Sequence, residues 1–148
     1  MIQYPNFDFK ILHKDKRSLA RIGKLKTPHG TIETPNYIFC GTRAAIKNLS
    51  PAQMKEAKTD IILSNTYHVM LQPGADIVEK MGGLHKFMQW DGPMMTDSGG
   101  FQVFSLFHGY AADEVKGRNR PKREASMLKI NEEGTVFRSY MDGTLVTL

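Results

Sequence analysis

The sequence predicts an α/β fold built on a short parallel sheet, and three observations carry that expectation. Apolar runs at Tyr37–Cys40, Asp60–Asn65 and Pro93–Thr96 recur with helix-like segments between them, the spacing of strands joined by crossover helices. The first run ends in Gly41-Thr42 and the second in Thr66-Tyr67-His68, as buried strands give way to loops. The third leads into Asp97-Ser98-Gly99-Gly100, which sets an acid at the carboxyl end of a strand, where parallel α/β folds gather their chemistry.

In chain order, residues 1–35 read as an antiparallel lead-in. Phe7–Arg17 alternates loosely and reads as a strand or an irregular entry. Ser18–Leu25 reads as a strand, Thr27-Pro28-His29-Gly30 as a turn and Thr31–Thr34 as the returning strand. Residues 36–106 hold the parallel unit. Ser50 precedes Pro51, the N-cap and first-position pair that starts a helix, here expected to run to about Lys58. Pro73-Gly74 breaks the chain, Asp76–Met81 reads as a helix closed by Gly82-Gly83, and Leu84–Trp90 as a shorter helical piece. In residues 107–148 the pattern changes. His108–Ser126 is polar, charged and reads as a long loop. Met127–Ile130 and Thr135–Tyr140, joined through Asn131–Gly134, read as a hairpin, and Thr144–Leu148 as the start of a further strand.

Composition fits a globular protein with a core: 148 residues, 41% hydrophobic and 24% charged. No apolar run approaches the roughly 20 residues of a membrane span, and Met1–Pro5 lacks the apolar stretch of a signal peptide. No membrane association and a cytoplasmic location are expected. Cys40 is the single cysteine, so neither an internal disulfide nor a cysteine-pair zinc motif can form within the chain. His68, His13, His29, His85 and His108 are scattered without ligand spacing. The net charge of +5 is concentrated in two clusters, Lys10 to Lys26 and Lys116 to Lys129. Each is either a solvated face or a surface for a phosphate backbone.

The stretch Met95–Leu106 is the candidate site. Asp-Ser-Gly-Gly is ordinary turn chemistry by itself. The apolar Pro93-Met94-Met95 before it is unlike a surface hairpin, and Phe101-Gln102 after it sets an aromatic ring and an amide beside the acid, as a site for a planar ligand would.

Thr96–Leu106 resembles the signature of the tRNA-guanine transglycosylases, the queuosine-pathway enzymes. Ser64–Gly74, Gly83–Trp90 and Gly134–Gly143 are similar to three further blocks of that family, in family order and across nearly the whole chain. The resemblance implies a TIM (β/α)8 barrel, of which these residues are the first three β/α units. A barrel takes roughly 250 residues, so the expectation is the N-terminal part of one catalytic domain, preceded by the antiparallel unit and followed by the hairpin. The family's nucleophilic aspartate and its zinc site are expected in the later part, with no cofactor in this chain. Two features depart from the pattern: the basic 108–129 stretch is an apparent insertion, and Cys40 stands where bacterial members commonly carry valine. Gly100 favours the queuosine branch over archaeal relatives, which tend to show serine there.

The implied reaction exchanges the wobble guanine of a tRNA anticodon for a 7-deazaguanine, queuine or its precursor preQ1. The implied partners are therefore tRNA, the free base and a complementary C-terminal chain. The resemblance gives Asp97 the role of general acid/base and acceptor at the base edge. It lays the Ser98, Gly99 and Gly100 backbones against the base, stacks Phe101 on it, and lets Gln102 support the pocket. Asn65 orients a neighbouring acid, and Leu63 and Cys40 are wall residues. Each has a structural alternative: Phe101 as core, Asn65 as a strand-end cap, Cys40 as a small buried hydrophobe. The competing reading is a catalytically inactive remnant or accessory subunit that binds tRNA through its basic patches.

Overall fold

The computed structural model describes residues 4–108, 127–139 and 141–147. The chain divides after Asp97 into two compact units.

The first unit opens with the antiparallel sheet β1 (Asp8–Lys14), β2 (Arg21–Thr27) and β3 (Gly30–Thr34). Register sets Phe9 opposite Leu25 and Leu25 opposite Ile32 on one face, and Lys10 opposite Lys24 and Lys24 opposite Glu33 on the other. Gly23 lets the Phe9 ring lie across the sheet, since a Cβ there would stand 2.6 Å from Phe9 Cζ. Only Ile32 of the apolar face is deeply buried, and β1 is exposed along its whole length. Asn36 ties β3 to the segment ahead of β5: its Nδ2 donates to Glu33 O at 3.0 Å and to Asp60 Oδ2 at 2.6 Å.

The second sheet is parallel, with strands β4 (Phe39–Cys40), β5 (Ile62–Ser64) and β6 (Met94–Thr96) side by side in that order. Between β4 and β5 lies α1 (Pro51–Glu56), started as the sequence predicts. The Ser50 side chain accepts from Gln53 N–H and the Gln53 side chain accepts from Ser50 N–H, a complete capping box with Pro51 in the first turn. Between β5 and β6 come α2 (Thr66–Leu71), α3 (Ala75–Lys80) and α4 (Leu84–Met88). Thr66-Tyr67-His68, read from sequence as the end of a strand, is the start of helix α2. The chain leaves α2 and α3 through Gly74, Gly82 and Gly83, all at positive φ.

Alternation along the strands gives the parallel sheet two unlike faces. Phe39, Ile62 and Met94 are in register and turn toward the helices. Ile62, fully buried, meets Ala44, Met54, Met88 and Trp90 in the core, with Val69, Leu84 and Phe87 packed against it. Trp90 Nε1 donates to Pro93 O at 3.0 Å, which satisfies its one buried donor. Ser64 and Thr96 continue this face and line a cavity of about 630 Å³ with Val69, Met70, Val78 and Leu84. Cys40, Leu63 and Met95 form the opposite row, where Cys40 is exposed and Met95 is 42% exposed.

The second unit contains α5 (Gly100–His108) and the antiparallel sheet β7 (Met127–Asn131), β8 (Gly134–Arg138) and β9 (Leu145–Thr147). The hairpin is closed by Asn131, whose Oδ1 accepts from Glu133 N–H and Gly134 N–H. Phe137, fully buried, anchors β8. The predicted long loop, apart from His108, and the basic cluster from Lys116 to Arg123 lie outside the described residues.

Candidate active site at the carboxyl rim of the parallel sheet

Asp97 comes directly after the last residue of β6, so its position is fixed by the pairing of β6 with β5. Strand alternation puts Asp97 on the same side as Met95, and Asn65 on the same side as Leu63. Both residues thus extend the face that bears Cys40. The half-buried Asp97 is held from the junction of β5 and α2. Asn65 Nδ2 donates to Oδ2 at 2.9 Å, and Thr66 N–H donates to Oδ1 at 2.7 Å. The Thr66 hydroxyl also donates to the Asp97 carbonyl. Three bonds from two consecutive residues fix both the carboxylate and its backbone.

Asn65 is the N-cap residue of α2 by position, yet its side chain makes no capping bond. It is spent on Asp97 instead. The structural alternative for Asn65, a strand-end cap, is therefore not what the side chain does. Cys40 and Leu63 are direct neighbours across β4 and β5, on the face that continues into Asn65 and Asp97. Cys40 is exposed in this chain.

Ser98, Gly99, Gly100, Phe101 and Gln102 belong to the second unit. Gly99 is buried at φ +74°, a conformation that favours glycine. Ser98 Oγ accepts from Gly100 N–H at 3.4 Å, and Gly99 O accepts from Val103 N–H at 3.1 Å as α5 begins. The run after the glycines, read from sequence as a short aromatic and apolar segment, is thus the first turn of a helix. Phe101 is 70% exposed in this chain. Gln102 is half-buried.

Sequence reasoning missed Thr66 and undervalued His68. Thr66 gave no signal, because its role depends on the register that brings β5 beside β6. His68, on α2, is half-buried. Burial holds its imidazole below the ordinary histidine range, the Arg43 cation adds to this, and the Asp97 carboxylate opposes it. Among the described residues no three of His, Cys, Asp and Glu come together as a metal-binding group, so the zinc that the resemblance implies has no ligand set within them. Nor is any described helix long and apolar enough to cross a membrane.

A carboxyl group held by an amide and a backbone N–H can accept from the edge of a planar base and exchange a proton with it. Comparison with known proteins bears on which chemistry this is. The family model described as queuine tRNA-ribosyltransferase matches residues 15–148. A queuine tRNA-ribosyltransferase from Protochlamydia amoebophila is 50% identical over 142 residues, 96% of this chain and 37% of the relative. One from Roseiflexus is 50% identical over 139 residues, covering 93% of this chain and 34% of its own. One from Enterococcus faecalis is 46% identical over 144 residues, 97% of this chain and 33% of its own. The chain spans about a third of the length of these relatives.

Proposed function

The chain belongs to the queuine tRNA-ribosyltransferase family, and from that premise we propose that it supplies the base-reading half of a tRNA-guanine exchange site. The substrates are the wobble guanosine of a tRNA anticodon and a free 7-deazaguanine, preQ1 or queuine, in the cytoplasm. On this reading β4, β5 and β6 are the first three strands of a TIM barrel within one catalytic domain. The face bearing Cys40, Leu63 and Met95 is then its interior, and the remaining strands and the zinc site come from a complementary C-terminal part. The observation that carries the proposal is the carboxylate of Asp97 at the carboxyl rim of β6, held by Asn65 and Thr66.

Asp97 accepts the base edge and handles its proton. A carboxylate offers about four acceptor sites, so two protein donors hold its plane while purine N–H groups are accepted beside them. A second carboxylate, from the complementary part, attacks the ribose C1′. The bond from C1′ to the guanine nitrogen breaks, and guanine leaves with a proton supplied by Asp97. The incoming deazaguanine gives its ring N–H proton to Asp97, and its nitrogen displaces the carboxylate from C1′. The pair of carboxylates and the covalent intermediate match the logic of retaining glycosidases.

Around Asp97, Asn65 orients the carboxylate and Leu63 and Cys40 wall the pocket. Phe101 stacks on the base, Gln102 supports it by hydrogen bonding, and the Ser98-Gly99-Gly100 backbone lies against it. The positive φ of Gly99, which favours a residue without a side chain, supports the close approach of that backbone.

The test is incorporation of radiolabelled guanine into a cognate tRNA by this chain, by the C-terminal portion of a related enzyme, and by the two together. Label incorporated by the pair alone is the expected result. No incorporation by a pair that demonstrably associates would put an accessory RNA-binding role in its place.

A further inference from the structure

Three successive parallel strands deliver three groups to one rim. β6 delivers Asp97, and β5 leads into α2 with His68. β4 leads into the turn Gly41–Ala44, which carries Arg43 at a corner. That turn is pinned at both ends. Gly41 N–H donates to Leu63 O on β5, and Ala44 N–H donates to Gly41 O at 3.0 Å. Gly41 is buried, and a Cβ there would stand 3.1 Å from Met88 Cε and 3.2 Å from Leu63 O. Ala44 is 7% exposed and sits in the core with Met54 and Ile62. Between these anchors Thr42 and Arg43 are exposed. Arg43 and Asp97 both act on the His68 ring, in opposite senses. Arg43 and Asp97 thus follow the carboxyl ends of β4 and β6, the two strands on either side of β5.

We propose that Arg43 is a substrate-positioning residue that takes a backbone phosphate of the nucleotide whose base lies against Asp97. The proposal rests on the functional reading above. A nucleotide brings its negative charge to a rim that already holds a carboxylate, and a cation carried on a pinned turn of the same rim answers it. Guanidinium suits this task, because its planar fork can grip two phosphate oxygens. Contacts of this kind set register and orientation, which leaves base recognition to Asp97. The basic lead-in sheet serves less well. Lys24 faces Glu33 there, Lys26 faces Asp8, and Lys10 Nζ lies 3.7 Å from Asp8 Oδ2.

The experiment is fluorescence anisotropy of an anticodon stem–loop RNA bearing the target guanine. It is titrated at several salt concentrations with the wild-type chain, Arg43→Ala and Arg43→Lys. Loss of one phosphate contact is expected to weaken binding about tenfold at low salt and to lower the slope of log affinity against log salt by about one. Arg43→Lys is expected to restore most of the slope, because it keeps the charge. An Arg43→Ala protein with wild-type affinity and slope would overturn the assignment while leaving the functional reading in place. A wild-type chain that does not bind the RNA at low salt, either alone or together with the complementary C-terminal portion of a relative, would remove the functional reading and the Arg43 assignment together.

Discussion

Ile62 and Leu63 are adjacent on β5 and live in different surroundings. Ile62 turns toward α1 and α4, is fully buried and touches the centre of the core. Leu63 turns the other way, beside the exposed Cys40 and Met95, on the face that leads to Asn65 and Asp97. One face of the sheet is spent on packing, and packing sets where each strand ends. The other carries the acid and its clamp. The difference teaches that the position of Asp97 is decided in part by residues packed on the opposite face of the sheet.

The sharpest way to break this comparison is to truncate both neighbours. Ile62→Ala is expected to cost about 2–5 kcal/mol of unfolding free energy, and Leu63→Ala about 1 kcal/mol, both read from urea melts. Equal costs would mean that the two faces are not distinct. Next in size is the coupling across the rim. A double-mutant cycle of Asn65→Ala with Asp97→Ala, read as unfolding free energy, should show an interaction of about 0.5–3 kcal/mol. Additive effects would mean that the 2.9 Å bond between them holds nothing. Ser50→Ala removes one half of the α1 capping box, with an expected loss of about 1 kcal/mol. Because α1 supplies Met54 to the core, the same loss should appear on heating.

The smallest effect is a pH dependence. The His29 and His85 rings stack with centroids 3.8 Å apart, joining the β2–β3 turn to α4. Burial first, and then the charge of His29, hold His85 below the ordinary histidine value of 6.5, and burial does the same for His68. For bases depressed in this way the unfolded chain binds more protons than the folded one. Their contribution is complete above pH 6.5 and is lost as pH falls below it. The melting temperature should therefore fall between pH 7.5 and 5.5, and less steeply in His85→Gln. An unchanged slope in that variant would show that His85 binds its proton alike in the folded and unfolded chain.

Much of this was legible in the sequence. Ser50-Pro51 with Gln53 three residues after the cap marks a helix start on local chemistry alone, and the three apolar runs mark the strands by their shortness and the turn residues that follow them. The helices α2 and α5 were not legible. Thr66-Tyr67 is β-branched and aromatic, which imitates a strand, and Gly99-Gly100 before an apolar run imitates a turn. In the site, Asp97 stood out by its place after a strand. Thr66 and Arg43 did not, because an exposed threonine and arginine acquire meaning only from the register of β4, β5 and β6.

The most direct test of the division between faces is labelled-guanine exchange by Asp97→Asn, assayed with the complementary portion of a relative at matched folded fraction. The prediction is a loss of about 10²–10⁴-fold in rate, with the urea midpoint of the chain near that of wild type. Exchange near the wild-type rate in Asp97→Asn would contradict it and would move the chemistry away from this rim.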